Sequence, residues 1–321
     1  MFKSLASFSI AAASLLLIQC GGTPGPAMPE PEGILAADTG WQLVGEGYVY
    51  ADGVAVRADG TMFYTDVTNW LIYREEADGS LTVFADNTGE AKGMMFGPDG
   101  RLYACRNAYG EIVAYNEDGS YDVVLAGEPV EVIGNPRAEP EFCNDLVVTS
   151  KGLIYFSDRA NREVRLLRPD GKLETVASGY RPNGIIMAPD ESRLYTTDSN
   201  NPRLVAFDVQ PDGTLVEIEG FFEPILTVNA LGEEKVAAGR PGTNGMTVDA
   251  DGRVYATGFA GVHVYSPEGK LLGLIPWPEG FVSNLTFGGP DFNVLYLTGV
   301  QKVVKRPALV KGAPYFLRAA D

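Results

Sequence analysis

Residues 144–158 read NDLVVTSKGLIYFSD. A polar opening is followed by a short apolar run, a turn carrying Gly152, and a second run rich in β-branched and aromatic residues. Two short strands joined this tightly form a β-hairpin. Working outward, the same form recurs at 52–66 (DGVAVRADGTMFYTD), 92–106 (KGMMFGPDGRLYACR), 183–198 (NGIIMAPDESRLYTTD), 244–258 (NGMTVDADGRVYATG) and 284–299 (NLTFGGPDFNVLYLTG). Starts at 52, 92, 144, 183, 244 and 284 are 40, 52, 39, 61 and 40 residues apart. Each unit also holds a second pair of strands with its own turn: LIYREEADGS then LTVFAD, EVRLLRPDGK then LETVAS, GVHVYSPEGK then LLGLIPWP. Four strands in about 40 residues make one blade of a β-propeller. The expected fold is therefore all-β, a six-bladed β-propeller with four antiparallel strands per blade.

The last unit supplies NLTFGG, VLYLTG and KVVKRP but no clear fourth strand. The segment WQLVGEGYVY, residues 41–50, precedes the first unit and is expected to fill that place. Both termini would then share a blade and close the ring. The longer gaps near 128–141 and 220–240 are expected as loops over one mouth of the channel.

The chain has 321 residues, 45% of them hydrophobic, enough for one large globular domain. Its formal net charge of −17 disfavours phosphate backbones and anionic lipid surfaces, so nucleic acid is not expected as a partner. The N-terminus carries Lys3, then an apolar run from Leu5 to Ile18 that is short for a membrane span. Leu17-Ile18-Gln19-Cys20 resembles a bacterial lipobox, with Gln19 where a small residue is preferred. Residues 1–20 are therefore expected to be a signal and lipobox segment, with Cys20 as the lipidation site. Cleaved soluble secretion and a retained anchor are the alternatives. Residues 21–38, rich in Gly, Pro, Ala and Glu, read as a flexible linker. The propeller domain is expected over 39–321, beginning near Trp41. The expected location is the periplasm or the outer membrane of a bacterium, with membrane contact only through the lipid anchor.

Cys105 ends the second strand of blade 2 and Cys143 precedes the first strand of blade 3, so both belong at one mouth on adjacent blades. An exported chain permits a disulfide there; two free thiols are the alternative.

The first strand of each blade lines the axis of a propeller. The residues at the six starts, Asp52, Lys92, Asn144, Asn183, Asn244 and Asn284, are thus expected to converge at one end of the channel. A rigid ring of carboxylate and carboxamide oxygens suits Ca²⁺ or another divalent cation. Asn-Gly at 183–184 and 244–245 is also a hairpin-turn signal, but the hairpin turns of those blades lie elsewhere, at PDES and DADG. Asn284-Leu285 lacks the glycine and reads as structural. DADG at 249–252 has no glutamate at calcium-loop spacing and reads as a β-turn. The chain's one histidine, His263, lies inside a strand and reads as a packed residue. With one histidine and no GxSxG motif a Ser-His-Asp hydrolase is not expected, and a His-based zinc site is excluded on ligand count.

On the set DGVAVRADGTMFYTDV, CNDLVVTSKGLIYFSD, RPNGIIMAPDESRLYTTDS and GTNGMTVDADGRVYATG, the chain resembles the superfamily of senescence marker protein, gluconolactonase and luciferin-regenerating enzyme, from about Trp41 to Lys305. The resemblance implies one channel Ca²⁺ or similar ion and hydrolysis of sugar lactones or related esters. It places the family's first-blade glutamate on Asp52, its third- and fourth-blade asparagines on Asn144 and Asn183, and its fifth-blade aspartate on Asn244. Asp52, Asn144, Asn183 and Asn244 are thus the expected metal ligands. In this family the fifth-blade aspartate is a proposed base or nucleophile, and an amide can serve as neither. Asp198 and Asp145 are the fallback bases. Lys92 adds a cation where the family often has Asn, either binding substrate or pairing with Asp52. The expected function is metal-dependent hydrolysis of a small-molecule lactone or ester. The alternative is a non-catalytic ligand- or partner-binding propeller with a degenerate metal site. Oligomeric state is left open.

Overall fold

The structure, a computed structural model, describes residues 28–127, 142–201, 203–225, 242–277 and 280–313. Among these residues, six four-stranded antiparallel sheets form, and no α-helix. The innermost strands, here a-strands, are Ala51–Val56, Ala91–Phe96, Leu146–Val148, Pro182–Met187, Met246–Val248 and Asn284–Gly288, for blades 1 to 6. Each touches the a-strand of the next blade, and that of blade 6 touches that of blade 1, so the ring is closed. The b-strands are Met62–Asp66, Leu102–Arg106, Ile154–Asp158, Arg193–Asp198, Val254–Gly258 and Val294–Gly299. Apolar residues face the next blade, and the core is a set of interblade layers; one of them unites Val147, Tyr155, Ile185, Leu194, Met246 and Val254.

The a–b turns explain the repeated Asp-Gly. Gly60, Gly100, Gly152 and Gly252 have φ of 85°, 79°, 73° and 83°, a left-handed backbone that costs glycine little. Blades 4 and 6 place Glu191 and Phe292 there, at φ 57° and 54°. Glu191 offsets its strain by accepting hydrogen bonds from Ser150 N (2.7 Å) and Ser150 Oγ (2.9 Å) of blade 3.

Blade 6 closes as the sequence suggests. Its outermost strand, Gln42–Glu46, pairs antiparallel with Lys302–Pro307, with Gln42 opposite Lys305 and Glu46 opposite Lys302. The packed body reaches further toward the N-terminus than Trp41. Leu274 N donates to Pro29 O (3.1 Å), Leu309 N to Ile34 O (2.8 Å) and Ala36 N to Pro307 O (3.0 Å). Ile34 and Leu35 are buried in the layer between blades 5 and 6. A segment whose composition reads as linker is held here because its two adjacent aliphatic residues find an apolar seam. Cys20, the signal segment, residues 21–27, the loop at 128–141 and most of the loop at 220–240 lie outside the described residues.

Cys105 and Cys143 form a disulfide, with Cα atoms 5.2 Å apart. Asp249–Gly252 is a turn: Gly252 N donates to Asp249 O (3.0 Å), and the Asp249 carboxylate accepts from Arg253 (2.6 Å) and Tyr255 (2.8 Å).

Candidate functional site

Each a-strand opens with a bulge in which two residues oppose a single b-strand residue. In blade 1 the register jumps from Ala51–Asp66 to Val54–Tyr64, leaving Asp52 and Gly53 opposite Thr65. Lys92 and Gly93 face Cys105 in the same way, and Asn183 and Gly184 face Thr197. In blade 3, Asn144 N donates to Ser157 O (3.0 Å) and Ser157 N to Asp145 O (2.9 Å). In blade 5, Asn244 N donates to Thr257 O (3.4 Å) and Thr257 N to Gly245 O (3.0 Å). In blade 6 it is Ser283 N that donates to Thr298 O (2.8 Å), while Asn284 pairs with Thr298.

Two layers result. The upper one, at the mouth, is Asp52, Lys92, Asn144, Asn183, Asn244 and Ser283. The lower one is Gly53, Gly93, Asp145, Gly184, Gly245 and Asn284. Five of the six expected ring residues occupy equivalent backbone positions; in blade 6 that position belongs to Ser283 rather than Asn284, and the Ser283 hydroxyl donates to Ala51 O (2.7 Å). Blade 6 lacks the Asn-Gly pair, so matching it by its asparagine shifts it one residue. All six upper residues are buried, Asn244 being the most exposed at 8%.

The lower layer explains the glycines. A Cβ on Gly53 would lie 1.7 Å from Lys92 O, and one on Gly184 2.0 Å from Asn244 O. Only a hydrogen allows inner strands to approach so closely that Gly93 N donates to Asn144 O and Gly245 N to Ser283 O, each at 2.9 Å. Asp145 and Asn284 fill the space left by glycines in the neighbouring blades: a Cβ on Gly93 would meet Asp145 Oδ1, and one on Gly245 would meet Asn284 Oδ1, each at 2.1 Å. The two stand on opposite sides of the ring, in blades 3 and 6, and each Oδ1 accepts from the following amide, Leu146 N (2.9 Å) and Leu285 N (2.8 Å). Asp145 Oδ2 also accepts from Ile185 N of blade 4 at 3.1 Å. Burial pushes the Asp145 carboxyl up to about 8, against the pull of the Ile185 and Leu146 amides and with a further rise from the Asp52 charge.

Asp198 has a different setting. It ends the b-strand of blade 4 and is fully buried. Its oxygens accept from Asn200 N (3.0 Å), Asn201 Nδ2 (2.8 Å) and Arg203 Nε (3.4 Å). Asp66 and Asp158 end their own b-strands and hold Asn69 (2.7 Å) and Asn161 (2.9 Å) in the same manner. Asp198 is thus one of three turn-holding carboxylates, engaged away from the ring. His263 lies buried on a strand of blade 5, stacked against Tyr265.

Three carboxamides and one carboxylate of the upper layer offer hard oxygen donors. Asn183 Nδ2 donates to Thr243 O (3.3 Å), and its Oδ1 is buried with no hydrogen-bond partner. A carbonyl oxygen buried in that state is suited to a cation. Among the described residues no group of three His, Cys, Asp or Glu could hold a metal, so a cation here would rest on one carboxylate and neutral amides. Those residues fit a divalent ion of the calcium type and fit zinc poorly. Lys92 brings a positive charge into the same layer.

Below the two layers the channel is apolar. Val54, Met94, Phe96, Ile186, Met246 and Phe287 are among the residues lining a cavity of about 70 Å³ that Asp145 and Asn284 also border. A segment near the C-terminus crosses the far end: Ala250 N donates to Lys311 O (2.8 Å), Gly312 N to Phe292 O (2.8 Å) and Ala313 N to Val248 O (3.3 Å).

The b-strand residues facing the bulges form a further row: Thr65, Cys105, Ser157, Thr197, Thr257 and Thr298. Thr197 Oγ1 donates to Asn244 O (3.2 Å), Thr257 Oγ1 to Ser283 O (3.2 Å) and Thr298 Oγ1 to Asp52 O (2.7 Å). Each bond runs to the ring residue of the next blade. The signal for this row was present in the repeat as a Ser, Thr or Cys just before the last residue of every hairpin, and sequence reasoning missed it.

Residues 44–301 match the family model described as the SMP-30/gluconolactonase/LRE-like region. The gluconolactonase of Zymomonas mobilis is 23% identical over 313 residues, covering 86% of this chain and 83% of that protein. A solved gluconolactonase from Xanthomonas campestris superposes with a TM-score of 0.70 at 25% identity, over 91% of this chain and 99% of that one. The calcium-binding protein regucalcin from Agrobacterium tumefaciens shares the fold at a TM-score of 0.66 and 16% identity, over 85% of this chain and 95% of its own.

Proposed function

The chain belongs to the SMP-30/gluconolactonase/LRE-like family, and from that premise we propose that it hydrolyses a lactone or related ester of a small molecule at the mouth of the channel. The observation that supports this reading is the shared backbone position of Asp52, Lys92, Asn144, Asn183, Asn244 and Ser283, all buried where the inner strands open, beside a cavity lined mostly by apolar residues. Asp52, Asn144, Asn183 and Asn244 would hold Ca²⁺ or another divalent cation, in keeping with the calcium binding of regucalcin. Bound there, such an ion would supply Lewis-acid polarisation of the scissile carbonyl.

The chain's own residues do the rest. A buried ring beside a mostly apolar cavity lining would limit bulk water around the substrate, which strengthens each polar contact to it. Lys92 donates to oxygens of the ligand and balances the charge of Asp52. Asp145, the carboxylate bordering the channel, is assigned the proton of the attacking water; a carboxyl raised toward neutrality is matched to that exchange. Water adds to the carbonyl carbon as Asp145 takes its proton, the acyl C–O bond breaks, that proton passes to the departing oxygen, and a hydroxy acid, or an acid and an alcohol from an ester, leaves. Asp198 is left out of the chemistry because it does not border the channel cavity and its oxygens serve the b–c turn.

The test is purified protein against a panel of sugar lactones and simple esters, with and without EDTA. The expected result is turnover that the chelator abolishes and Ca²⁺ restores. A panel without any turnover would favour the non-catalytic ligand-binding propeller. We also infer export to the periplasm or outer membrane, with Cys20 as the lipidated residue. The disulfide supports an oxidising compartment. Cell fractionation of wild type and Cys20→Ala tests this; equal membrane association of both would sink the anchor.

A further inference from the structure

The seam between blades 2 and 3 is built differently from its counterparts. In blades 4, 5 and 6 a threonine hydroxyl ties the b-strand to the backbone carbonyl of the ring residue in the next blade. Blade 2 has no hydroxyl at that place. Its residue is Cys105, and Cys105 is bonded to Cys143, the residue immediately before ring member Asn144. The positions preceding the other ring residues hold Ala51, Ala91, Pro182, Thr243 and Val282, so the covalent tie occurs at this seam alone among the six. Both sulfurs are fully buried. Cys105 lies opposite Lys92 and Gly93, and Gly93 N donates to Asn144 O at 2.9 Å. The disulfide therefore brackets two adjacent ring residues, Lys92 and Asn144, from behind.

We propose that the Cys105–Cys143 disulfide is the positioning element for Asn144 and Lys92, so that the ring is complete in the oxidised protein and loosened at one seam in the reduced one. This rests on the functional reading of the ring given above. The physical argument is one of stiffness. A hydroxyl-to-carbonyl bond can open and re-form with water, whereas a covalent bridge holds the start of the a-strand in blade 3 in place before any ligand arrives. Preorganisation matters most for amide ligands, whose weak attraction for a cation leaves little to offset their ordering. Reduction by a dithiol transfers two electrons and two protons, breaks the S–S bond to two thiols, and leaves the reductant as its own disulfide.

The experiment compares wild type, Cys105→Ala/Cys143→Ala, and Cys105→Thr/Cys143→Ala. The last recreates the hydroxyl found in blades 4, 5 and 6. Amide hydrogen exchange is read at Leu146–Val148 in blade 3, with Met246–Val248 in blade 5 as internal control. The double alanine variant is expected to exchange about ten-fold faster at blade 3 only, a difference of about 1.4 kcal/mol, and the threonine variant to recover part of it. Ca²⁺ affinity by calorimetry should fall in the same order, and the KM for any hydrolysed lactone should rise more than kcat falls. Should the double alanine variant fail to fold, wild type reduced with dithiothreitol carries the same comparison. Equal exchange at blade 3 in the oxidised and bridge-free proteins would overturn the proposal. The exchange result stands apart from the function: wild type that neither binds Ca²⁺ nor turns over lactones defeats the lactonase reading, while blade 3 exchange still decides the role of the bridge.

Discussion

At the scale of single residues, the proposed cation site turns on charge. Asp52 is its one carboxylate, and the amides of Asn144, Asn183 and Asn244 contribute dipoles only. Cation affinity in oxygen sites rises with the number of charged ligands. Asp52→Asn should therefore abolish Ca²⁺ binding, and Asn244→Asp should tighten it by about ten-fold or more, roughly 1.4 kcal/mol. Calorimetric titration of both variants checks this; Asp52→Asn that binds as well as wild type would remove Asp52 from the ligand set. Space decides the lower layer. A methyl on Gly245 would lie 2.1 Å from Asn284 Oδ1 and 2.7 Å from Asn284 Cα, and the backbone behind that side chain has no room to retreat. Gly245→Ala is expected to cost about 1–3 kcal/mol by overpacking, seen as a lower urea midpoint at unchanged slope.

At the scale of elements, the weak point of any propeller is the blade where the chain ends meet. Here the N-terminal strand Gln42–Glu46 completes blade 6. The seam between blades 6 and 1 is reinforced by polar and aromatic groups. Glu75 accepts from Tyr296 (2.9 Å) and Lys305 (2.5 Å). Tyr48 packs against Tyr64 and Tyr73 with ring centroids 5.3 and 5.5 Å apart, and its hydroxyl bonds that of Tyr64. Removing the Glu75 carboxylate leaves the buried Tyr296 hydroxyl and a half-buried ammonium without their acceptor, so Glu75→Ala should cost about 2 kcal/mol. Starting the chain at Thr39 removes the strap at 29–36, and starting it at Tyr50 also removes the outer strand. Thermal melts should rank them in that order below wild type, because the second truncation opens a sheet edge and uncovers Val303 and Val304. Equal melting of the two would contradict closure by this strand.

At the scale of the whole molecule, a cation held by the proposed ligands would touch blades 1, 3, 4 and 5 together and would tie separate sheets. Binding to the folded state alone stabilises it by about 2.7 kcal/mol at a hundred-fold excess over Kd. For a domain of this size that is a rise in Tm of roughly 5 °C or more. Added Ca²⁺ should produce such a rise and EDTA should reverse it. The same scan on Asp52→Asn should show no response, which separates a site at the ring from loose attraction of cations to a chain of net charge −17.

The fold was legible from the chain itself. Hairpins with alternating apolar runs, turns with Asp-Gly or Pro-Asp, and six starts at near-regular spacing are local properties, and a propeller is a sum of local units whose strands pair with their sequence neighbours. Closure by residues 42–46 followed from the same count. So did the shared backbone position of five of the six starts, because each stands at the same place in the repeat. Three things were decided only in three dimensions. Ser283 entered the ring because the backbone bulge sets the register, and a bulge is defined by its partner strand. Asp145 and Asp198 were both candidate bases, yet one is buried at the border of the channel cavity and the other is bound into a turn. The strap at 29–36 and the segment at 311–313 dock on surfaces formed by distant blades. Local pattern specifies which strands form; which side chains meet at the axis depends on contacts between blades, and those exist only once the ring has closed.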